Sequence, residues 1–305
     1  MKHLTTFRLI DAIERTGSIR SAAELVSQTP SAVQRRLQSY EQELGFAIFD
    51  RSAQGVRLSV AGELVLNHVR EMLAETDRLT SRIADLAGIR RGHVSIGCSQ
   101  AVLPYFLPDQ IARYQTDFPN VTFEVQVIEH ERATEMLESF AVDFVLVFSG
   151  QSVPEYDVRL AVPQNIVAIM GEGHPLKNQE TVRLRQCYEY PIALSKKGFG
   201  GRTLLDRALF SKTFATPPSL QSNSFEFLKS HVASTDAITF QIQIGAPAEL
   251  EGNGIISRPI DPRDVLGGHL MLGQRRNRTL SVAASRFVEQ IIKSLCERHD
   301  LEVKR

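Results

Sequence analysis

Cysteine is scarce in this chain. Cys98, Cys187 and Cys296 lie far apart and make neither a CxxC pair nor an even disulfide framework, which fits a reducing compartment. Long apolar runs are missing as well. Spanning a bilayer takes roughly 20 apolar residues, and the best candidate, FAVDFVLVF, is interrupted by Asp143 and has the length of a strand. The N-terminal MKHLTTFRLIDAIERTG threads charges through its apolar positions, whereas a secretion signal needs an unbroken apolar core of about 7–15 residues. A cytoplasmic protein with no membrane part is the expectation. There is no excess charge of either sign: 35 Lys and Arg balance 35 Asp and Glu. Any attraction to nucleic acid must therefore come from a local patch.

The marks of an enzyme are equally thin. No HExxH and no Cys/His cluster supplies metal-ligand spacing, and His174, His231 and His269 are scattered, so packed or surface histidines are expected and no metal. No GxSxG elbow occurs, and Cys98 has no assignable His partner. The stretch SKKGFGGR, Ser195 to Arg202, has the glycines and cations of a phosphate cradle but neither P-loop nor full dinucleotide spacing; a ligand turn ahead of a helix suits it better.

What is present is a chain of 305 residues, 43% hydrophobic and 23% charged, long enough for two or three domains of about 100–200 residues. Leu4, Phe7, Ile10 and Ile13 mark one face of a first helix that Gly17 ends. Ser18 can cap a short second helix in which Ala22 and Ala23 admit a close neighbour. Thr29 as N-cap and Pro30 at the first helical position open a third helix. Along it Val33, Leu37, Tyr40 and Leu44 form a buried stripe, so Ser31, Gln34, Arg35 and Gln38 must point away, clustered towards the end where backbone amides attract anions.

After Gly45, strands at Ala47–Arg51 and Val56–Ser59 around Gln54-Gly55 make a small wing. Three helices and a wing in about 60 residues form a winged helix-turn-helix, whose third helix enters the major groove. Eight Lys and Arg against six Asp and Glu in residues 1–60 supply the local charge.

Ser59 then caps a long helix to about Ala87. Its Ala61, Leu64, His68, Met72, Leu79, Ile83 and Leu86 fall near a three-four repeat, the pattern of a dimerising helix. A boundary is expected at 88–93, giving a DNA-binding domain 1–60, a linker helix 61–90 and a third domain 91–305.

That third domain alternates strands (VSIGC, VTFEVQVI, FVLVF, then NIVAIM, PIALS, AITFQ, GIISR, HLMLGQ) with helical segments and closes on a helix Leu280–Cys296. The expectation is two α/β lobes with parallel-rich sheets, lobe one about 92–163 and 269–305, lobe two about 164–268, with a ligand at the strand carboxyl ends. Two helix entries, Ser99-Gln100 and Ser195 to Arg202 with Lys196 and Gly198, could converge there. Ser149, Ser222, Asn223 and Thr239 would add polar lining for a small, anionic effector; no cofactor is expected.

The segment FRLIDAIERTGSIRSAAELVSQTPSAVQRRLQSYEQELGFAIFDRSAQGVRLSVAG resembles the LysR-type transcriptional regulators. RGHVSIG, MGEGHPL and LSVAASRFVEQI extend the similarity over nearly the whole chain. The resemblance implies a homodimer or homotetramer that binds promoter DNA, with a periplasmic-binding-protein-like effector domain. Carried over by position, Thr29, Pro30, Ser31, Gln34, Arg35 and Gln38 face DNA, and Arg51 in the wing meets the backbone or minor groove. Gln34 stands where the family usually has Ser, and VASTDAITF replaces a glycine-containing segment, so neither base preference nor effector can be inherited. The competing class is a solute-binding or enzymatic α/β domain with a helical appendage.

Overall fold

Gly17, in the left-handed conformation that suits glycine, ends the first helix of the computed structural model, α1 (Leu4–Thr16). Described are residues 3–52, 55–86, 91–150, 154–247 and 254–301. They fall in two compact units, Met1–Ile89 with Glu138–Ala141, and Arg90–Leu137 with Val142–Arg305.

In the first unit, Ser18 accepts from Ser21 N and caps α2 (Ile19–Leu25). Thr29 accepts from Ala32 N and caps α3 (Pro30–Leu44), whose first helical residue is the proline. The wing is an antiparallel pair, β1 (Phe49–Ser52) and β2 (Gly55–Leu58), with Phe49 opposite Leu58. It is shorter than its sequence pattern suggests. Ile48 N bonds to Glu41, and Ile48 O accepts from Ser59 N, so those backbone groups lie outside the ladder. Gln54, at the expected turn, lies outside the described residues. Ser59 does cap α4 (Val60–Leu86), accepting from Gly62 N at 2.9 Å.

One face of α4 joins the core: Leu66 and Val69 pack with Leu9, Ile10, Ile13, Val33, Leu37 and Ile48. Arg70 adds polar ties to α1, at 2.8 Å from Asp11 and 2.5 Å from Glu14. Of the expected linker, 88–90 lie outside the described residues.

The second unit opens with β3 (Arg91–Cys98), α5 (Leu107–Asp117), β4 (Asn120–Val127), α6 (Ala133–Glu138), β5 (Phe144–Ser149) and β6 (Asp157–Gln164). It continues with β7 (Ile166–Gly171), α7 (Leu184–Cys187), β8 (Ala193–Ser195), α8 (Gly200–Leu209), β9 (Leu220–Ser222), α9 (Phe225–Ala233) and β10 (Thr239–Ile242). The chain ends with β11 (Ile255–Pro259), β12 (Gly268–Gln274) and α10 (Val282–Arg298). The first lobe's sheet runs β4-β3-β5-β12-β6, and the second lobe holds β10-β7-β11 and the pair β8-β9.

The parallel-rich expectation holds only in part. β3 is parallel to β4 and β5, but the returning β12 is antiparallel to both β5 and β6, and β7 is antiparallel to both its neighbours. The cause is the double crossing between lobes. The chain leaves lobe one at the end of β6 and comes back on β12, so strands of opposite sense meet. Strand β6 was not among the strands read from the sequence, and Pro163 within it does not look like a strand residue. Among the described strands it pairs with β12 alone, so it lies at the sheet edge, where proline is tolerated.

Candidate nucleic-acid interface and effector pocket

Helix α3 buries Val33 and Leu37, with Tyr40 and Leu44 partly covered against the same core. The opposite side is therefore wet: Thr29, Pro30, Ser31, Arg35 and Gln38 are exposed and Gln34 is half-buried. Thr29 Oγ1 lies 3.3 Å from both Ala32 N and Ser31 Oγ, so it spends its hydroxyl on the cap and on its neighbour. The first turn carries no acidic residue, although an acid would be stabilised there by the helix dipole. Pro30 has no N–H and the amides of Ala32 and Val33 bond to Thr29, so the Ser31 amide and the positive dipole end are left for an anion that is not part of the helix.

Neither Arg35 nor Arg36 makes an ion pair among the described residues. Arg36, exposed beside Arg35 on α3, and Arg57, exposed on β2 opposite Asp50, are cations that the sequence pattern did not single out. Arg57 could have been found from strand alternation. The backbone of Arg51 pairs with Val56 in the wing.

A second surface lies along α4. Beyond the face that packs into the core, Leu64 is 72% exposed, Leu79 57% and Ile83 58%. These belong to the predicted repeat. Leu66 and Val69, outside that repeat, are the ones the unit's own core uses.

In the second unit the residues expected to bind ligand are partly brought together. Ser195, Arg202 and Gly201 meet Ile166, Leu194, Leu205, Phe225, Phe240 and Gln241 around a cavity of about 10 Å³, the scale of one water molecule. Arg202 is buried. It donates from Nη1 to Ser195 O at 2.6 Å and from Nε to Asp206 at 2.7 Å, so much of its charge is answered within α8. Gln241 Oε1 accepts from Ile242 N at 2.9 Å. Thr239, two residues earlier on the same face of β10, is buried with no partner for its hydroxyl.

Others of the set serve the structure. Gln100 Oε1 accepts from Phe225 N at 2.9 Å and so caps α9 of lobe two from lobe one. Ser99 Oγ accepts from Phe148 N at 2.9 Å, tying the ends of β3 and β5. Ser222 Oγ accepts from Ser224 N, Asn223 is exposed, and Ser149 is buried at the end of β5. Lys196 is exposed, and Gly198 has a left-handed φ of 102° in the turn before α8. Gly200 lets α8 of lobe two approach β5 of lobe one closely, since a β-carbon there would lie 2.8 Å from Phe148 Cδ1 and 3.0 Å from Phe148 O.

Glu129 was not foreseen. It follows β4 at the carboxyl edge of the lobe-one sheet, and burial first, then Glu131, pushes its carboxyl up to about 7. Gln241 was legible in principle, since it alternates with Thr239.

The histidines and cysteines do other work. His174 Nδ1 accepts from Leu176 N at 3.1 Å, and its ring packs on Tyr190. Among the described residues no group of three or more His, Cys, Asp or Glu could hold a metal ion. Burial pushes the Cys98 and Cys187 thiols up to about 12, and Cys296 is buried as well. A thiol-modifying disulfide reagent at pH 8 is therefore expected to react with none of the three in the native protein and with all of them in denaturant. Fast native labelling would show that one is accessible as a thiolate.

Residues 4–63 match the bacterial regulatory helix-turn-helix proteins of the lysR family, and residues 87–295 match the LysR substrate binding domain. The chain belongs to the LysR family. Among curated relatives of this LysR-family chain, the "Probable RuBisCO transcriptional regulator" of Synechocystis sp. is 26% identical, covering 95% of this chain and 85% of that protein. A full-length OxyR variant from Pseudomonas aeruginosa superimposes with a TM-score of 0.67 at 19% identity, covering 96% of this chain and 94% of that one. Full-length CbnR, solved in complex with its target DNA, does so with a TM-score of 0.64 at 16% identity, covering 95% and 99%. The protein is thus a DNA-binding transcriptional regulator with an effector-binding domain, and not an enzyme. No described helix is long and apolar enough to cross a membrane.

Proposed function

We propose that this LysR-family regulator works in the cytoplasm as a homodimer or homotetramer on double-stranded promoter DNA. Gln34 and Arg35 read base edges. Thr29, Pro30, Ser31 and Gln38 sit against the backbone, and Arg51 of the wing meets a phosphate or the minor groove. The observation that carries this reading is the acid-free face at the start of α3, which offers the amide side chains of Gln34 and Gln38 and the Arg35 guanidinium, as a major-groove reader does. The solved complex of CbnR with its target DNA supports the same use of the fold. Footprinting of the full chain on DNA upstream of its own gene is expected to show two protected half-sites on one face of the duplex. No protection, with or without added metabolites, would count against it.

The effector is a small anion held at the lobe-two cavity by Arg202 and Gln241, with Ser195 as further polar lining and Phe225 and Phe240 as apolar walls, and with the unpartnered Thr239 hydroxyl beside it on β10. The cavity matches one water, so a larger ligand must part the lining. A thermal-shift screen of small carboxylates against neutral analogues is expected to favour the carboxylates. Stabilisation by neutral apolar compounds alone would refute the anionic reading.

A further inference from the structure

Gln34, Gln38 and Glu41 follow one another on α3 at spacings of four and three, so they form one row along the helix. The first two are amides proposed to face DNA, and the third is an acid. Its carboxylate does not face solvent alone: Oε1 accepts from Ile48 N at 2.7 Å and from Phe49 N at 3.3 Å. Phe49 is the first residue of β1, so the recognition helix holds the wing strand by its leading peptides.

The same backbone is gripped from its other edge. Ser59 N donates to Ile48 O at 2.9 Å, and Ser59 Oγ donates to Ala47 O at 2.7 Å while accepting from Gly62 N. A β-carbon on Gly62 would lie 2.0 Å from Ile48 O, so only glycine lets the first turn of α4 rest there. The peptides 47–49 are thus clamped between α3 and α4. On the far side of the wing, Val56 N bonds to Gly17 O at 3.3 Å.

We propose that Glu41 is a positioning residue for DNA binding: by holding the Ile48 and Phe49 amides it sets where the wing stands relative to the recognition helix. The inference rests on the reading of Arg51 as a backbone contact. Arg51 lies two residues beyond Phe49 on the same strand, so a wing released at Phe49 loses its register with a phosphate engaged by α3. The bonds are charge-assisted, but the acceptor geometry, not the charge, does the positioning. An amide oxygen at the same place can accept from both N–H groups.

The test is the salt dependence of binding by the full-length protein to a 30-base-pair duplex from upstream of its own gene and to a scrambled duplex of the same composition. Each lost phosphate contact lowers the slope of log K against log salt by about 0.9. Glu41→Ala is expected to lower the slope by about that amount per engaged wing, as Arg51→Ala does, and the double variant to go no lower than Arg51→Ala alone. Glu41→Gln should restore the wild-type slope. A merely structural role would reduce thermal stability and active fraction but leave the slope of the folded protein unchanged, and that result in Glu41→Ala overturns the proposal. Should Glu41→Ala fail to fold, Glu41→Asp, charged but one methylene short, must show the lowered slope instead. If Arg51→Ala itself keeps the wild-type slope, the Arg51 reading is what fails. Glu41 is then judged by amide hydrogen exchange, which Glu41→Ala must accelerate at Ile48, Phe49 and along β1; unchanged exchange there overturns it.

Discussion

Gln34→Ala is expected to cost about 1–3 kcal/mol at one base of each half-site and to relax the choice of base there, leaving binding to other sequences nearly unchanged. The side chain is half-buried at the start of α3, and its amide can offer a donor and an acceptor together, the pair that an adenine edge presents in the major groove. Arg51→Ala should behave differently. It is expected to weaken every sequence alike and to lower the salt slope by roughly one, because a phosphate contact carries no sequence information. Titrations at several salt concentrations, on the operator and on its single-base variants, separate the two. If Gln34→Ala weakens all sequences equally with base preference intact, Gln34 touches the backbone and the assignment of reading to this row is wrong.

Leu79→Glu is expected to weaken self-association more than tenfold and, with it, binding to an operator of two half-sites about one or more helical turns apart. Within one chain Leu79 is 57% exposed and Ile83 58%, while Leu64, about one turn into α4, is 72% exposed. Burying a Leu is worth about 1.5–3 kcal/mol, and a carboxylate left without a partner in an apolar interface adds the desolvation of a charge. The core of the first unit uses other residues of α4, Leu66 and Val69, so the folded domain should survive the change. Sedimentation at several protein concentrations measures the effect. An unchanged oligomer would remove α4 as the contact between copies.

The two faces of α4 illustrate how far patterning reaches. Its three-four repeat was visible in Leu64, Met72, Leu79 and Ile83, but Leu66 and Val69 lie off that repeat, and only packing shows that they complete a core begun by Leu9, Ile13 and Leu37. The winged helix-turn-helix was legible almost residue by residue, since Ser18, Thr29, Pro30 and Ser59 act through local capping chemistry. β6 was not, because Pro163 is compatible with a strand only at a sheet edge, and edge position is a property of the whole sheet.

The effector pocket divides along the same line. Arg202 and Ser195 stood out as a cation and a hydroxyl ahead of a helix, and they do meet at the cavity. Gln100, equally prominent in sequence, instead caps α9 across 125 positions of chain. Gln241 and Glu129 gained their importance from burial. Helix caps, hydrophobic periods and the acid-free face of α3 depend on neighbours within a few residues, so the amino-acid order alone decides them. Which acceptor satisfies the amides of Ile48, Phe49 or Phe225, which strands run antiparallel, and which polar side chains are left inside a cavity depend on partners distant in the chain. Those were decided only when the tertiary structure removed water and required each buried group to find a new partner.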